Sequence, residues 1–311
     1  MRIIFLGTPE FAAPSLQALI GAGHEIAAVF TQPDRPKGRG NQFAASPVKE
    51  AALRLGLTVL QPDRVRRPEH VATIAALEPS LMVVVGYGQI IPQSIIDIPP
   101  HGVLNVHASL LPKYRGAAPI QWAIAKGETE TGVTIMRIDA GLDTGDMLLK
   151  WSTAIYPDET ASELSRRLAP AGAKLLIDAI KQIESGTARF EPQDAAQATY
   201  APILKKEDGR VDWSRSATEI YNRLRGFTPW PGSYTTLRGQ TLQIYKARPI
   251  EAAAQGEPGT LHVEKRRLLV TCGAGSLEVL ELQMEGRKRM PIDTFLNGYS
   301  LKPDKRLGGS G

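Results

Sequence analysis

Hydrophobic residues in the first half of the chain come in short, almost unbroken runs that alternate with segments of helical periodicity. Strands buried on both faces of a sheet have such continuous apolar runs, and strands that alternate with helices form parallel sheets. The pattern predicts an α/β domain with a doubly wound, Rossmann-like sheet. The runs are RIIFLG at 2–7, EIAAVFT at 25–31, LTVL at 57–60, LMVVVG at 81–86 and GVLNVH at 102–107.

Several helices between these runs have recognisable starts or apolar spacing. One helix is expected after Pro14, and a second begins at Ser46-Pro47, a good N-cap and first-turn pair. A third is expected from about Pro68 to Leu77. Leucines at a spacing near 3.6 residues predict a long helix over about 160–185, which we expect Pro170 to divide or kink.

The chain changes character after about residue 185. Residues 186–207 are mixed and polar, which predicts a linker between an N-terminal domain at 1–185 and a C-terminal domain at 208–311. The C-terminal part combines a short helix near 217–225 with many short apolar runs and glycine-containing turns, including a hairpin turn at Arg238-Gly239. This alternation is typical of a small β-barrel.

Composition and charge narrow the functional class. With 311 residues, 42% of them hydrophobic, the chain is long enough for two packed domains, and no apolar run is long enough to span a membrane. The single cysteine, Cys272, excludes an internal disulfide and every metal motif built from several cysteines. No signal-peptide pattern follows the first strand, so we expect a cytoplasmic protein.

Positive charge is concentrated in the C-terminal third. Residues 1–204 contain 19 lysine and arginine residues against 20 acidic ones, whereas residues 205–311 contain 18 against 12. The second part therefore has a net charge of +6, although the whole chain has only +5. Such a surplus is compatible with a solvated surface, but it also favours a large anionic partner, with nucleic acid ahead of a membrane.

The usual nucleotide motifs of α/β folds are missing. Gly7-Thr8-Pro9 follows the first strand, but no G-x-G-x-x-G is present, and the proline removes an N–H that could face a phosphate. No G-K-[ST] P-loop occurs either. An NAD-dependent oxidoreductase is therefore disfavoured, and the fold alone names no cofactor.

Asn105 and His107 are the strongest candidates for chemistry. They close an apolar strand, and side chains at the carboxyl end of a strand face the usual site of an open α/β sheet. Because side chains alternate along a strand, the two lie on one face, roughly 7 Å apart. An amide and an imidazole, joined by a carboxylate, can hold a carbonyl, stabilise an oxyanion and manage the proton of a nucleophile. A packed histidine without chemistry is the alternative.

Two carboxylates in the loop DAGLDTGD, at 139–146, could complete this set: Asp139 and Asp143. A calcium loop is excluded, because a loop starting at Asp139 has Gly141, Thr144 and Lys150 where an EF-hand needs an acid, a glycine and a glutamate. For Asp139 or Asp146 taken alone, we expect a role in capping backbone N–H groups.

A long basic loop follows the second strand. Residues 31–46 contain two prolines, two glycines and the cations Arg35, Lys37 and Arg39. The composition predicts an exposed loop. It can be a purely solvated feature, but it lies at the sheet edge that should also hold Asn105 and His107, so a cationic loop here suits a substrate attached to RNA.

NVHASLLPKYRGAAPIQWAI at 105–124 with DAGLDTGD resembles the formyltransferase family that uses 10-formyltetrahydrofolate. GTPEFA at 7–12 and TQPDRPKGRG at 31–40 resemble the branch of that family that formylates initiator methionyl-tRNA, and the match runs through nearly the whole chain.

The resemblance implies an OB-like fold for the C-terminal barrel, a tRNA-binding role for that domain, a monomer and no metal. The catalytic set of the family falls on Asn105, His107 and Asp143, and transfer is expected to be direct, through an oxyanion. The segment that lines the folate site falls on Ser109, Leu110, Leu111 and Pro112. The basic loop implies tRNA contacts by Arg35, Lys37 and Arg39, of which Arg39 occupies the place of the family's key arginine.

Two alternatives stay open at this point. One is a related formyltransferase or formyl hydrolase that acts on a nucleotide-pathway amine or an amino sugar, because such relatives share the Asn-x-His and SLLP segments. The other is an RNA-binding protein built on a disused Rossmann domain. The basic loop and the basic C-terminal domain favour the tRNA branch over the first, and the intact set of Asn105, His107 and Asp143 disfavours the second.

Overall fold

The computed structural model describes residues 1–37, 42–252, 254–301 and 306–308. The chain divides into two compact units. The first contains Met1–Pro119, Glu130–Ala154 and Ser165–Pro202, and the second contains Ile120–Thr129, Ile155–Leu164 and Ile203–Gly311. Residues 186–202, inside the segment that we expected to be a linker, therefore group with the first unit.

The helices and strands up to residue 184 are, in chain order, β1 (Arg2–Gly7), α1 (Ala13–Gly21), β2 (Glu25–Phe30), β3 (Arg35–Lys37), β4 (Gln42–Ala44), α2 (Pro47–Arg54), β5 (Val59–Leu60), α3 (Pro68–Ala76), β6 (Leu81–Val85), α4 (Gln93–Ile96), β7 (Val103–His107), α5 (Pro119–Ala125), β8 (Glu130–Arg137), β9 (Met147–Ala154) and α6 (Ala161–Glu184). They are followed by α7 (Ala217–Gly226), β10 (Ser233–Leu237), β11 (Gln240–Ile250), β12 (Leu261–Glu264), β13 (Arg267–Thr271), β14 (Ser276–Met284), β15 (Met290–Pro291) and α8 (Ile292–Gly298).

The first unit is built on a seven-stranded sheet with the order β5-β2-β1-β6-β7-β8-β9. Neighbouring strands from β5 to β7 are parallel, and β1, β6 and β7 are buried along almost their whole length. The predicted Rossmann-like α/β fold is confirmed. Because parallel strands point the same way, the carboxyl ends of β1, β2, β6 and β7 share one edge of the sheet.

The last two strands of this sheet depart from the expected all-parallel arrangement. β8 is antiparallel to β7, and β9 is antiparallel to β8. An antiparallel edge is common on a mostly parallel sheet. The apolar runs in the sequence report burial but not strand direction, so they could not predict this reversal.

Two of the predicted helix starts are confirmed, and the expected division of the long helix at Pro170 is wrong. Ser46 caps α2 by accepting a hydrogen bond from the backbone N–H of Lys49, and α3 begins at Pro68. α6 continues through Pro170 as one helix of 24 residues. The proline removes one backbone hydrogen bond, but Leu168 and Leu176, on either side of it, are fully buried and hold both halves in place.

The second unit is centred on an antiparallel sheet with the order β10-β11-β14-β13-β12, to which β15 adds beside β14. The hairpin of β10 and β11 turns at Arg238-Gly239 as predicted, and both residues have positive φ, which suits the twist of a two-residue hairpin. Apolar side chains of the sheet and of α7 form its core, among them Ile220, Leu242 and Val279.

None of the helices within the described ranges is long and apolar enough to cross a membrane.

Gly172 lets α6 pack closely against the sheet. A Cβ atom at this position would lie 2.9 Å from Cγ1 of Val106 on β7 and 3.3 Å from Cγ1 of Val133 on β8. Val106 alternates with Asn105 and His107 along β7, so this contact is on the opposite face from the two polar side chains.

We expect Gly172→Leu to lower the free energy of unfolding by about 1–3 kcal/mol, since it overpacks this contact. Gly21→Leu in α1 is the control, because a Cβ atom there has no neighbour within 4 Å. It should change stability by no more than about 0.5 kcal/mol. Thermal unfolding of both variants tests the contact, and equal melting temperatures would contradict it.

Candidate active site

The candidate site lies at the carboxyl end of β7, beside the first antiparallel strand. Asn105 and His107 are both buried, with 9% and 5% of their surfaces exposed. They stand on the same face of the strand because one residue separates them. Burial of two polar side chains at a strand end requires specific partners, since an unpaired polar group away from water costs free energy.

Asp143 supplies those partners from the loop between β8 and β9. Its Oδ1 accepts a hydrogen bond of 3.3 Å from Nδ2 of Asn105, and its Oδ2 lies 3.7 Å from Nδ1 of His107. The structure thus brings together three side chains that are up to 38 residues apart in the sequence. Of the two aspartates left open by the sequence, Asp143 is the one that meets the strand.

Asp139 has the capping role that we expected for it. Its carboxylate accepts hydrogen bonds from the backbone N–H of Gly141, at 3.0 Å, and from the hydroxyl of Thr144, at 2.8 Å. These contacts close the turn that contains Asp143.

The imidazole of His107 is oriented by a backbone carbonyl. Its Nε2 lies 3.0 Å from the carbonyl oxygen of Tyr114. Because a carbonyl can only accept a hydrogen bond, Nε2 must have the proton and donate it. In the neutral ring Nδ1 is then the unprotonated nitrogen, and it is Nδ1 that faces Asp143.

Tyr114 presents this carbonyl because its backbone is in the left-handed region, with φ of 62°. Its own N–H donates to Oγ1 of Thr199 at 2.9 Å. No sequence motif signals this contact, so sequence analysis did not identify Tyr114 or Thr199 as part of the site.

Gly116 contributes a backbone donor to the carboxylate. Its N–H donates to Oδ2 of Asp143 at 2.8 Å, and its φ of 118° suits only glycine. A Cβ atom here would also lie 2.7 Å from the carbonyl oxygen of Ala201. The N–H of Gly116 and the amide of Asn105 together stabilise the carboxylate of Asp143.

The segment from Ser109 to Pro112 forms a tight turn next to the site. Ser109 is fully buried, and its hydroxyl donates to the carbonyl of Lys113 at 2.7 Å. Leu111 is also buried, whereas Leu110 and Pro112 are half-buried. Leu110 and Pro112 are therefore the two members of the predicted folate segment that keep accessible apolar surface, while Ser109 and Leu111 shape the turn.

Only part of the predicted tRNA-binding loop can be described. Arg35 is exposed at the start of β3, and its guanidinium donates to Oε1 of Gln32 at 3.4 Å. The backbone of Lys37 ends the same strand. Arg39 lies outside the described residues.

Asp34, which sequence analysis did not single out, fixes the base of this loop. Its carboxylate accepts hydrogen bonds from Nζ of Lys49 at 2.6 Å and from Nε2 of Gln61 at 2.8 Å. The hydrogen bond from Lys49, followed by the one from Gln61, lowers the pKa of Asp34. The basic loop therefore begins next to a negatively charged residue, Asp34, that its hydrogen bonds hold in place.

Comparison with known proteins decides the family. A model of the formyl transferase family matches residues 1–180, and a model of the formyl transferase C-terminal domain matches residues 203–300. The chain belongs to the formyl transferase family. It is an enzyme, and its relatives among curated proteins are methionyl-tRNA formyltransferases.

Two of these relatives show how complete the likeness is. The methionyl-tRNA formyltransferase of Solibacter usitatus is 60% identical over 308 residues, which cover 99% of this chain and 99% of that protein. The one of Geobacter sulfurreducens is 54% identical over 312 residues, which cover 100% of this chain and 98% of that protein.

Two solved structures of other proteins share the fold. The sugar 3N-formyl transferase WlaRD, solved in the presence of dTDP and 5-N-formyl-THF, has a TM-score of 0.67 at 18% identity, covering 93% of this chain and 99% of that one. HypX from Aquifex aeolicus, solved in complex with tetrahydrofolic acid, has a TM-score of 0.64 at 18% identity. That match covers 95% of this chain and 47% of HypX, so this chain spans about half the length of HypX.

Within the part of this formyl transferase that the structure describes, no three His, Cys, Asp or Glu residues are grouped so that they could hold a metal ion. The polar cluster offers an amide donor, an imidazole nitrogen and a carboxylate around one point. These groups suit proton transfer and stabilisation of negative charge at a carbonyl.

Proposed function

We propose that this enzyme transfers the formyl group of 10-formyltetrahydrofolate to the α-amino group of initiator methionyl-tRNA, giving N-formylmethionyl-tRNA for translation initiation. The observation that carries the proposal is the meeting of Asn105, His107 and Asp143 at the carboxyl end of β7. The substrate pair is supported by relatives that are 54–60% identical over the full chain and are named methionyl-tRNA formyltransferases.

In the proposed reaction the amine nitrogen attacks the formyl carbon directly. A C–N bond forms to the methionyl amine, the bond from the formyl carbon to N10 breaks, and one proton moves from the amine to N10. His107 is the group that moves it: Nδ1 accepts the amine proton and returns it to N10, while Nε2 keeps its proton on the Tyr114 carbonyl. No covalent bond to the protein is needed.

Asp143 and Asn105 have separate proposed roles in this step. The carboxylate, 3.7 Å from Nδ1, stabilises the positive charge that develops on His107. One hydrogen of the Asn105 amide points to Asp143, and we assign the other to the negative charge that develops on the formyl oxygen. Removing such a donor typically slows a reaction about a hundred- to a thousandfold.

The folate is proposed to lie along the turn at Ser109–Pro112. Flat heterocycles bind to apolar surfaces that carry a few polar groups, and Leu110 and Pro112 keep part of their surface accessible beside the polar cluster. The other two members of the segment hold the turn: Ser109 bonds the carbonyl of Lys113, and Leu111 is packed inside.

The tRNA is proposed to contact Arg35, Lys37 and Arg39 and an OB-like C-terminal domain at 208–311. An arginine offers planar, bidentate donors to a phosphate or a guanine edge, and the major groove of an RNA duplex can be entered at its end. The basic loop follows a strand whose carboxyl end lies at the same sheet edge as the catalytic cluster.

Clustered charges on the antiparallel sheet of the second unit support a nucleic-acid partner. Arg267 and Arg248 pair with Glu278, and Arg289 and Lys246 pair with Glu281. Hydrogen bonds from Arg267, together with the nearby Arg248, lower the pKa of Glu278 to about 2, so this acid is ionised. The side chains of the four cations are 45–66% exposed. Because these four pair with two carboxylates, the cluster has a net positive charge that can attract phosphates.

We further propose that the enzyme acts as a monomer in the cytoplasm. Charged methionyl-tRNA, the proposed acceptor, is made and used there, and the single cysteine suits a reducing compartment.

We expect Asn105→Ala and His107→Ala each to slow formyl transfer to methionyl-tRNA by about a hundredfold or more, since each removes a group that acts on the reacting atoms. Transfer of labelled formyl from 10-formyltetrahydrofolate measures the rate. His101→Ala, an exposed histidine just before β7, is the control and should match wild type. Rates within about tenfold of wild type for either variant would contradict the assigned roles.

The same assay, run on wild type with methionyl-tRNA, free methionine and amino sugars in parallel, tests the acceptor. The proposal expects transfer to methionyl-tRNA far above the others. Transfer confined to a small amine would overturn it.

We expect Arg39→Ala to raise the KM for methionyl-tRNA by at least about tenfold while leaving the KM for the folate within about twofold, because an arginine contact to RNA is typically worth about 1–3 kcal/mol. Steady-state kinetics with each substrate varied in turn measures this. Arg54→Ala, on the exposed end of α2, is the control cation. An equal loss toward both substrates would refute a specific contact of Arg39 with tRNA.

A further inference from the structure

We propose that Gln193 is a positioning residue of this active site, which holds Asp143 in place for His107. The inference deepens the proposed formyl transfer and rests on it. Gln193 lies in the polar stretch after α6, and neither the match at 1–180 nor the match at 203–300 includes it.

The side-chain amide of Gln193 bridges two carbonyls of the catalytic loop. Its Nε2 donates to the carbonyl oxygen of Asp143 and to that of Gly145, both at 2.8 Å. The two hydrogens of one NH₂ group thus fix the backbone on both sides of Thr144. Such a bridge determines the direction in which the Asp143 side chain leaves the loop.

Asp143 needs a fixed backbone because its conformation is strained. Its φ is 52°, in the left-handed region, which costs roughly 1 kcal/mol or somewhat less for an aspartate. A residue in this region keeps its conformation only when the surroundings over-determine it. Three hydrogen bonds provide that restraint. Gln193 donates two of them to carbonyls of the main chain, and the N–H of Gly116 donates the third to the carboxylate.

Arg115 fixes the orientation of the Gln193 amide. Its guanidinium is buried, with 5% of the residue exposed, and donates from Nε at 3.0 Å and from Nη2 at 2.8 Å to Oε1 of Gln193. Because both donors bind the amide oxygen, the NH₂ group must point toward the loop carbonyls. A charged donor on the oxygen also strengthens the bonds that the NH₂ group makes.

Arg115 lies between the two backbone groups that the site uses. Tyr114 gives the carbonyl that orients His107, and Gly116 gives the N–H that binds Asp143. The network Arg115–Gln193–Asp143 therefore connects the segment that orients the imidazole with the loop that carries the carboxylate.

Backbone pairing holds the Gln193 segment against both loops. Glu191 exchanges two hydrogen bonds of 2.8 Å with Met147, just after the Asp143 loop. The carbonyl of Thr199 accepts from the N–H of Arg115, and the N–H of Ala201 donates to the carbonyl of Arg115, both at 2.8 Å. Gln193 lies between these two paired stretches, so the backbone is held in place on either side of it.

Gln193→Glu is the sharpest test, because a carboxylate keeps a partner for the buried Arg115 but loses both donors to the loop. We expect the variant to fold, with kcat for methionyl-tRNA reduced at least about tenfold and both KM values within about threefold of wild type. Gln197→Glu is the matched control, since Gln197 is exposed in the same segment and bonds only Asp194 among the described side chains. It should retain the wild-type kcat.

A second measurement separates positioning from general structural support. The rate of formyl transfer is measured in single turnovers, with enzyme in excess, in a variant that already carries Asp143→Asn. Adding Gln193→Glu to this variant should lower the rate less than about twofold, because the carboxylate that Gln193 positions is already gone. A full additional loss there, or a folded Gln193→Glu enzyme with kcat within about threefold of wild type, would overturn the inference. Inactive wild type would instead count against the proposed function.

If Gln193→Glu lowers the melting temperature strongly, Arg115→Met combined with Gln193→Met removes both partners and leaves no buried charge unpaired. The same fall in kcat with unchanged KM values is expected of this double variant. An unchanged kcat would again overturn the inference.

Discussion

The hydrogen bond from Nε2 of His107 to the carbonyl of Tyr114 determines which ring nitrogen is left for chemistry. A carbonyl cannot donate, so it fixes the proton on Nε2 and leaves Nδ1 turned toward Asp143. Imidazole, carboxylate and amide then surround one point at the end of β7. If the ring were flipped, Cε1 would take the place of Nε2 at the carbonyl and Cδ2 the place of Nδ1 beside the carboxylate, so both contacts would be lost. The proposed path of the proton depends on this one contact.

The contact exists because distant parts of the chain hold each other. The sheet buries β7, which carries Asn105 and His107, and the loop between β8 and β9 places Asp143 against both of them. Two residues in left-handed conformations, Tyr114 and Asp143, aim the carbonyl and the carboxylate. Each conformation is held by hydrogen bonds from the segment around Gln193 and Thr199. Strain at the site is thus offset by pairing outside it, as is usual where side chains must be positioned closely.

The sequence predicted the parts of the fold that have local signals. Continuous apolar runs indicated the buried strands, Ser46-Pro47 marked a helix start, and Arg238-Gly239 marked a hairpin turn, since each depends on residues next to one another. Strand direction at β8 and the continuity of α6 through Pro170 depend on tertiary packing and were not predicted. Asn105, His107 and Asp143 were found as candidates because an amide, an imidazole and a carboxylate are residue types that commonly take part in catalysis. Tyr114, Gly116 and Gln193 act through backbone atoms or an amide, which no motif in a single sequence distinguishes from ordinary structure.

The tautomer of His107 is the most direct test of the proposed proton path. Protein labelled with ¹⁵N-histidine, with His107 among the five histidines assigned through a His107→Gln variant, gives separate signals for the two ring nitrogens. At a pH where the ring is neutral, the account predicts a proton on Nε2 and none on Nδ1. A neutral ring with its proton on Nδ1 would contradict it, because the unprotonated nitrogen would then be Nε2, which faces the Tyr114 carbonyl, and Nδ1 could not accept the proton of the attacking amine.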